Sequence, residues 1–532
     1  MTRTLLDARI VAGLSAALTG AVPQPAAEPM CLVQLCFRRK GVKLARVWGE
    51  GHGLEAALHD GTSRADIAPH KITHIEVTLA RPGRLMQQSD LSRARANDVR
   101  GLLGVELRGT EKICRMGPVE MLTRNIGPKT ALRMLSKDIG QPLSQLEARV
   151  FPADQFLVEW PNTRIHRLFR GQKTVPPKAI TRAAVLNMAH AMEDWLTAQV
   201  GADGSTMYKY WPSKGIYATS NNMIRQFMAS AALANISHRR GGADAANRNF
   251  AYNIAAFYSE EDGLGLIHEG PKVKLGAAAV ALIASLNLGD ARFQPQIAAL
   301  SKFILSMQNP DGSFRTFLRP SSRNDCQNFY PGEACLALMR LFDRTKDPTL
   351  LDAVGRAFAF YRSWHLENRN PAFVPWHTSA LCLFLRHRPD KDLSDFVFDM
   401  NDWLLGLQQR ADRPADVWGE FFDPERPDFG PPHASATGVY LEGLIDAWDL
   451  ARRLDVARSE SYRRAILLGL RSLRQLQFRY PSDMYYIAHK NRVAGALRTN
   501  TYDNTIRIDN VQHGLMAIHR ILDLWPESLV HT

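Results

Sequence analysis

The chain of 532 residues is poor in cysteine and carries no cysteine pattern. Its six thiols, Cys31, Cys36, Cys114, Cys326, Cys335 and Cys382, include no CxxC pair and no framework spacing, which argues against a disulfide-stapled scaffold. Cys326, Cys335, His377 and Cys382 match no zinc spacing, and Cys335 and Cys382 fall inside apolar runs, so no metal and no cofactor is expected. No stretch reaches roughly 18 uninterrupted apolar residues, which excludes a membrane-spanning helix. There is no Walker loop, no G-x-S-x-G and no H-E-x-x-H, which removes several common classes of hydrolase. Scattered free thiols suit a reducing, cytoplasmic setting. The alternative, export, rests on the opening "MTRTLLDARIVAGLSAALTGAVPQPAA" with its basic start, apolar stretch and small residues. Asp7 and Arg9 beside that stretch, and Ser and Thr inside it, favour a first helix instead.

What is present is unevenly distributed. The formal net charge is +13, and residues 1–180 hold 27 Lys and Arg against 16 Asp and Glu, whereas the remainder holds 39 against 37. The basic third suits an acidic partner, a polyanionic glycan, nucleic acid or anionic lipid head groups, or is a solvated basic surface. The nearly neutral remainder gives no reason to expect nucleic acid as the partner of the whole chain.

The length exceeds a single typical core, and two domains are expected. Residues 1–165 mix strand-like runs with amphipathic helices. "MCLVQLCFRR" and "HKITHIEVTLARPG" read as strands, "GLLGVELRGTEKICRMGP" as a hairpin turning near Arg108, Gly109 and Thr110, and "KTALRMLSKDIG" as a helix closed by Gly140. Residues 166–181, polar and basic with Pro176 and Pro177, read as a linker. From 182 to 532 apolar segments come in pairs. Longer amphipathic members are expected at about 182–200, 244–259, 292–308, 348–365, 393–409 and 459–478. Shorter members rich in small apolar residues are expected at about 222–235, 274–287, 332–344, 376–388, 433–453 and 510–525. Six such hairpins close an (α/α)6 toroid, although an open solenoid shares the pattern. The fold class expected is therefore multidomain: a small N-terminal α/β domain followed by an all-α (α/α)6 toroid. Connections from outer to inner helix run from about ten to thirty residues, so the long loops gather at the N-termini of the inner ring, three of them opening alike: "ADGSTMYKYW", "EDGLGLIHEG" and "PDGSFRTFLR".

Those loops carry the candidate chemistry. Glu333 falls in the first turn of the third inner helix, where the helix dipole favours an ionised carboxylate, able to act as base or nucleophile or merely to cap backbone amides. Asp509 and His513, four apart, share a helix face, which orients a histidine as acid or base or leaves an N-cap beside a core histidine. Tyr208, Tyr210, Arg225, Arg323, Trp376, Glu420, His433 and Arg507 supply the aromatic faces and charged groups that grip sugar rings. A hydrolase needs a carboxylic acid and a carboxylate across the sugar, for which Glu333 and Asp509 are the expected pair. Elimination or epimerisation of a uronic acid needs instead a base and a cation for the carboxylate, for which Tyr330, His377, Arg323 and Arg507 are available.

The paired helices with Asp-Gly turns, and "YPGEACLALMRLFDRTKDPTLLDAVGRAFAFY" above all, resemble the (α/α)6 toroid superfamily of six-hairpin glycosidases, glucuronyl hydrolases, epimerases and toroidal lyases over residues 182–532. "QNPDGSF" is also similar to the QW repeats of triterpene cyclases, whose aspartate-rich motif is absent. The order of strands in residues 1–165, with "KITHIEVTL" and "GLLGVELRGTEKICRMGPVEML", resembles the AMMECR domain, whose Leu-Arg-Gly-Cys-Ile-Gly run is not present. The toroid resemblance implies a carbohydrate-active protein with a poly- or oligosaccharide substrate: a glycoside hydrolase, alternatively a uronic-acid lyase or epimerase, or a non-catalytic glycan- or partner-binding module of a polysaccharide-synthesis assembly.

Overall fold

Apolar periodicity becomes regular structure only where a face can be buried, and the chain offers two such places. The computed structural model describes residues 3–524 apart from 25–26 and 93–98; the last eight residues of the second expected domain lie outside the described residues. After α1 (Arg3–Leu18), the strands β1 (Met30–Arg39), β2 (Val42–His52), β3 (His74–Ala80), β4 (Arg84–Leu85), β5 (Leu103–Arg108), β6 (Ile113–Met116), β7 (Glu147–Glu159) and β8 (Arg164–Leu168) form one antiparallel sheet. Its path is β2-β1-β3-β7-β5-β6. The long β7 pairs with β5 and β4 along its first half and with β3 and β8 along its second, so one strand joins two half-sheets. Alternation in β3 sends Ile75 and Val77 into a core with Ile10 and Leu14 of α1 and Leu58 of α2 (Leu54–Ala65). Beyond the short α3 (Pro118–Thr123), α4 (Pro128–Ile139) covers the other half through Leu132 and Leu135, and Gly140, at φ 83, ends it as the sequence predicts.

From residue 182 the chain alternates outer and inner helices. The outer ring is α5 (Arg182–Ala198), α7 (Asp244–Phe257), α9 (Gln294–Ser306), α11 (Pro348–Glu367), α13 (Lys391–Leu405) and α15 (Val456–Leu476). The inner ring is α6 (Met223–Arg240), α8 (Leu275–Leu288), α10 (Tyr330–Thr345), α12 (Phe373–His387), α14 (Ala434–Leu454) and α16 (Ile508–Leu524). Each inner helix packs on the next, and α16 packs on α6, so the ring is closed rather than solenoidal. Small residues allow it: "GAAAVALIAS" within α8 is buried on every side. Three inner helices start earlier than the sequence predicts, at Tyr330, Phe373 and Ile508; in the first two, Pro331 and Pro375 sit within the first turn, where a missing amide costs nothing. The fourth outer-to-inner connection therefore shrinks to residues 368–372, shorter than expected.

A repeated device ties the rings together. In four connections a glycine at φ near +90 precedes a bridge residue by two: Gly204 before Thr206, Gly312 before Phe314, Gly419 before Phe421 and Gly495 before Leu497. A Cβ on each would strike a carbonyl oxygen of the next outer helix, that of Arg248, Arg356, Leu468 and Ala191 respectively, at 1.9–2.4 Å. In three of them a glutamine opens the turn, and its Nε2 donates to an outer-helix carbonyl three residues earlier: Gln308 to Ala353 and Gln408 to Ala465 at 2.8 and 2.9 Å, and Gln477 to Met188 at 3.1 Å. The last of these joins the final connection to the first outer helix and so closes the ring. "EDGLGLIHEG", by contrast, is not a copy: Asp262 and Gly263, both at positive φ, form the tight turn of a β-hairpin (Tyr258–Glu261 with Leu264–Glu269).

The segment expected as a linker is not a free tether. The sheet runs to Leu168, past residue 165, and Arg170 is fully buried with Nε donating to Asp416 Oδ2 at 2.7 Å. Gln172 Nε2 donates to the Thr501 carbonyl at 2.9 Å, and Asn125 Nδ2 donates to Asp503 Oδ1 and Thr505 Oγ1 at 3.0 Å. The polar residues that read as linker are thus spent in a seam between the sheet unit and the toroid loops.

Glu420 lies in this seam, and burial together with neighbouring Asp416 pushes it up to about 8. Its folded value lies above the ordinary 4.5, so its contribution to stability is complete below about pH 4.5 and is lost as pH rises through about 8. Urea unfolding of Glu420→Gln followed between about pH 5 and 9 is expected to show a flatter decline with pH than the parent chain. Gly419→Ala is expected to cost about 2 kcal/mol or more, read as a lower urea midpoint with unchanged slope, since alanine there is strained and meets the Leu468 carbonyl.

Candidate functional site

Because all six inner helices start at one face, their first turns present side chains to one mouth. Arg225 is in the first turn of α6, behind the N-cap Asn222. Tyr330 and Glu333 open α10, Trp376 lies in the first turn of α12, His433 caps α14 and Asp509 opens α16. The strand Asp503–Arg507, paired with Lys209–Trp211, delivers Arg507 beside Asp509 and near Tyr208.

The centre of the cluster is an ionic fork. Asp509, fully buried, accepts from Arg507 Nε at 2.9 Å and meets Arg225 Nε at 3.1 Å, and the two guanidiniums hold its carboxyl down at about 2 against the burial that opposes them. Such a carboxylate is a fixed anion that orients two cations, not a proton donor. Glu333 is its opposite. Burial pushes it up to about 8, with only Arg225 pulling the other way, and its Oε2 is buried without a hydrogen-bond partner. The expectation that the helix dipole keeps Glu333 ionised is therefore overturned: desolvation at the inner wall outweighs a dipole worth about 1 kcal/mol at an exposed end. Gly276 of α8 makes the space, since a Cβ there would lie 2.2 Å from the Tyr330 ring and 2.4 Å from Glu333 Oε2.

The histidines divide sharply. Asp509 does not serve as the hydrogen-bond partner of His513; His513 Nδ1 instead meets Glu442 Oε1 of α14 at 2.8 Å, and its ring packs edge-on to Trp376, 6.0 Å between centroids. His433 Nδ1 accepts from the Ala436 amide at 3.0 Å, and burial with Arg507 nearby draws it down to about 4, so it is a neutral cap. His377 is not part of the site. It stacks on Phe373 at 3.5 Å with Nδ1 on the Phe373 carbonyl, and burial pulls it down to about 3, which makes it a neutral core histidine.

Three further expected residues stand apart. Glu420 belongs to the seam with Arg170 and Arg471. Tyr210 packs on Tyr217, 4.6 Å between ring centroids, near Arg492. Arg323 lies exposed at the rim, paired with Asp325 and stacked over Phe317. The residue missed by sequence is Glu442, whose one signal is a carboxylate inside the otherwise apolar run "GVYLEGLI". Among the described residues no three His, Cys, Asp or Glu side chains are grouped to hold a metal ion.

No protein-family model and no curated protein matches the chain. Among solved structures it is similar to an unsaturated glucuronyl hydrolase specific for heparin, with 13% identity over 64% of this chain and 97% of that one and a TM-score of 0.48. A D-mannose isomerase gives 12% identity over 65% and 98%, with a TM-score of 0.48. An α-1,6-mannanase from Salegentibacter sp. HEL1_6 gives 10% identity over 63% and 98%, with a TM-score of 0.46. The structural neighbours are six-hairpin, glycosidase-like enzymes.

Proposed function

We propose that the toroid is a carbohydrate-active enzyme that cleaves a glycosidic bond in an oligo- or polysaccharide carrying anionic sugars. The observation that carries this reading is the pair of carboxyl groups joined through Arg225, one pushed up to about 8 and one held at about 2. Environments that drive two carboxyls apart assign an acid and a fixed charge at neutral pH. Glu333, protonated, donates to the leaving glycosidic oxygen. His513, oriented by Glu442, takes the proton from the attacking water. Arg225 and Arg507, held by Asp509, carry more positive than negative charge between them and suit a sugar carboxylate. Trp376 and Tyr208 offer ring faces. This departs from the expected Glu333 and Asp509 acid–base pair, because an aspartate bound by two arginines is a poor base.

A second reading, elimination or epimerisation at a uronic acid, is favoured by the same Glu442-ordered histidine beside two arginines, since a base and a carboxylate clamp are what that chemistry needs. Product analysis separates them: hydrolysis yields two saturated ends, elimination an ultraviolet-absorbing unsaturated uronate, and epimerisation no chain cleavage.

On a panel of uronate-containing oligosaccharides, Glu333→Gln is expected to lower kcat by about 10²- to 10⁴-fold with retained substrate binding by calorimetry. Unchanged turnover would reject Glu333 as the acid. The wild-type kcat is expected to fall as pH rises through about 8, where Glu333 loses its proton. Asp509→Asn is expected to raise KM more than it lowers kcat, because it frees the two arginines without removing the acid or the base.

A further inference from the structure

The opposite end of the toroid, where the inner helices finish, holds a cavity of about 490 Å³ that the funnel chemistry does not use. Asn235 of α6, Asn287 of α8, Arg340 of α10 and His519 and Arg520 of α16 line it. Cations at helix C-termini ordinarily neutralise exposed carbonyls, and two nearby arginines do that: Arg239 donates to the His519 carbonyl and Arg344 to the Leu286 carbonyl. Arg340 does not. It sits a turn further in, where its Nη1 donates to Asn287 Oδ1 at 2.9 Å, and among the described residues no carboxylate lies within ion-pair distance of it. The neighbouring acids are already engaged, Asp446 and Glu442 by Arg520, Glu193 by His519 Nε2, and Asp523, which also lines the cavity, by Arg239. His519 Nδ1 is buried without a hydrogen-bond partner. Burial and the neighbouring Arg520 draw Arg340 down to about 10, against the partial pull of Glu442 and Asp446, neither of which pairs with it directly.

A half-buried guanidinium with no ion-paired carboxylate, next to the Asn235 amide nitrogen on the cavity wall, leaves donors in want of an acceptor. We infer that this cavity is a second ligand site, which binds a small tetrahedral oxyanion, either inorganic phosphate or the phosphate group of a sugar phosphate. The planar fork of Arg340 takes two oxygens and the Asn235 amide nitrogen donates from the wall, while Arg520 stays paired with Asp446 and Glu442. The volume exceeds what a bare phosphate fills, leaving room for a pyranose ring. The cavity opens at the other end of the ring from the funnel, its residues lying in the C-terminal halves of helices whose first turns build the funnel, with Glu442 bonded to both Arg520 and His513.

Isothermal titration of the full chain with inorganic phosphate and, separately, with glucose 6-phosphate, in chloride buffer of matched ionic strength, tests this. Saturable binding of one ligand per chain is expected. A larger affinity for glucose 6-phosphate identifies the sugar phosphate as the ligand, and equal affinity identifies the free anion. Arg340→Gln and Asn235→Asp are each expected to weaken binding at least about tenfold, whereas Glu333→Gln in the funnel leaves it unchanged. Asn235→Asp adds a repelling charge at a partly exposed wall and decides the matter if Arg340→Gln does not fold. Absence of saturable binding, binding undiminished by Asn235→Asp, or binding lost in Glu333→Gln would overturn the inference.

Discussion

The closed ring depends on one contact made repeatedly: a glutamine amide and a positive-φ glycine that seat the exit of one outer helix against the backbone of the next. Without a side chain, Gly312, Gly419 and Gly495 approach carbonyl oxygens that any Cβ would displace, and Gln308, Gln408 and Gln477 supply hydrogen bonds to the same helices. Since Gln477 reaches Met188, the final copy converts a row of hairpins into a ring. A ring fixes all inner N-termini at one mouth. Side chains from α6, α10, α14 and α16, far apart in sequence, then share one cluster.

That clustering sets the chemistry. A carboxylate in a first helical turn is ordinarily ionised, yet Glu333 is walled in by Gly276, Tyr330 and the inner ring, and only one guanidinium is near enough to oppose the desolvation. Asp509, equally buried, receives two arginines and stays charged. The difference between the two carboxyls is thus a difference in how many cations the ring brings to each, and Arg225 is shared between them.

Much of the architecture was legible. The 3.6-residue periodicity and the small-residue composition of segments such as "GAAAVALIAS" give the six hairpins, and Gly140 and the Arg108 turn mark their elements without tertiary help. Residues 308–314 showed the Gln-to-Phe turn in compact form, but Gln408 and Gln477 were hidden because ten and seventeen residues intervene before their glycines. Of the cluster, Glu333 and Asp509 read as helix starts from local signals, whereas Arg225 and Tyr330 read as loop residues and lie in first helical turns. Partnership was not legible: His513 pairs with Glu442 of another helix, and His377 faces an aromatic wall, neither of which spacing within one segment can reveal. The seam was misread as linker because buried and solvated polar residues look alike in a sequence.

The direct measurement is the protonation state of Glu333 at neutral pH, read by infrared difference spectroscopy between the parent chain and Glu333→Gln. A protonated carboxylic carbonyl band present in the parent and lost in the variant, and titrating near pH 8, is the expected result. Loss of an ionised carboxylate band alone would contradict the assignment of Glu333 as the buried acid of the site.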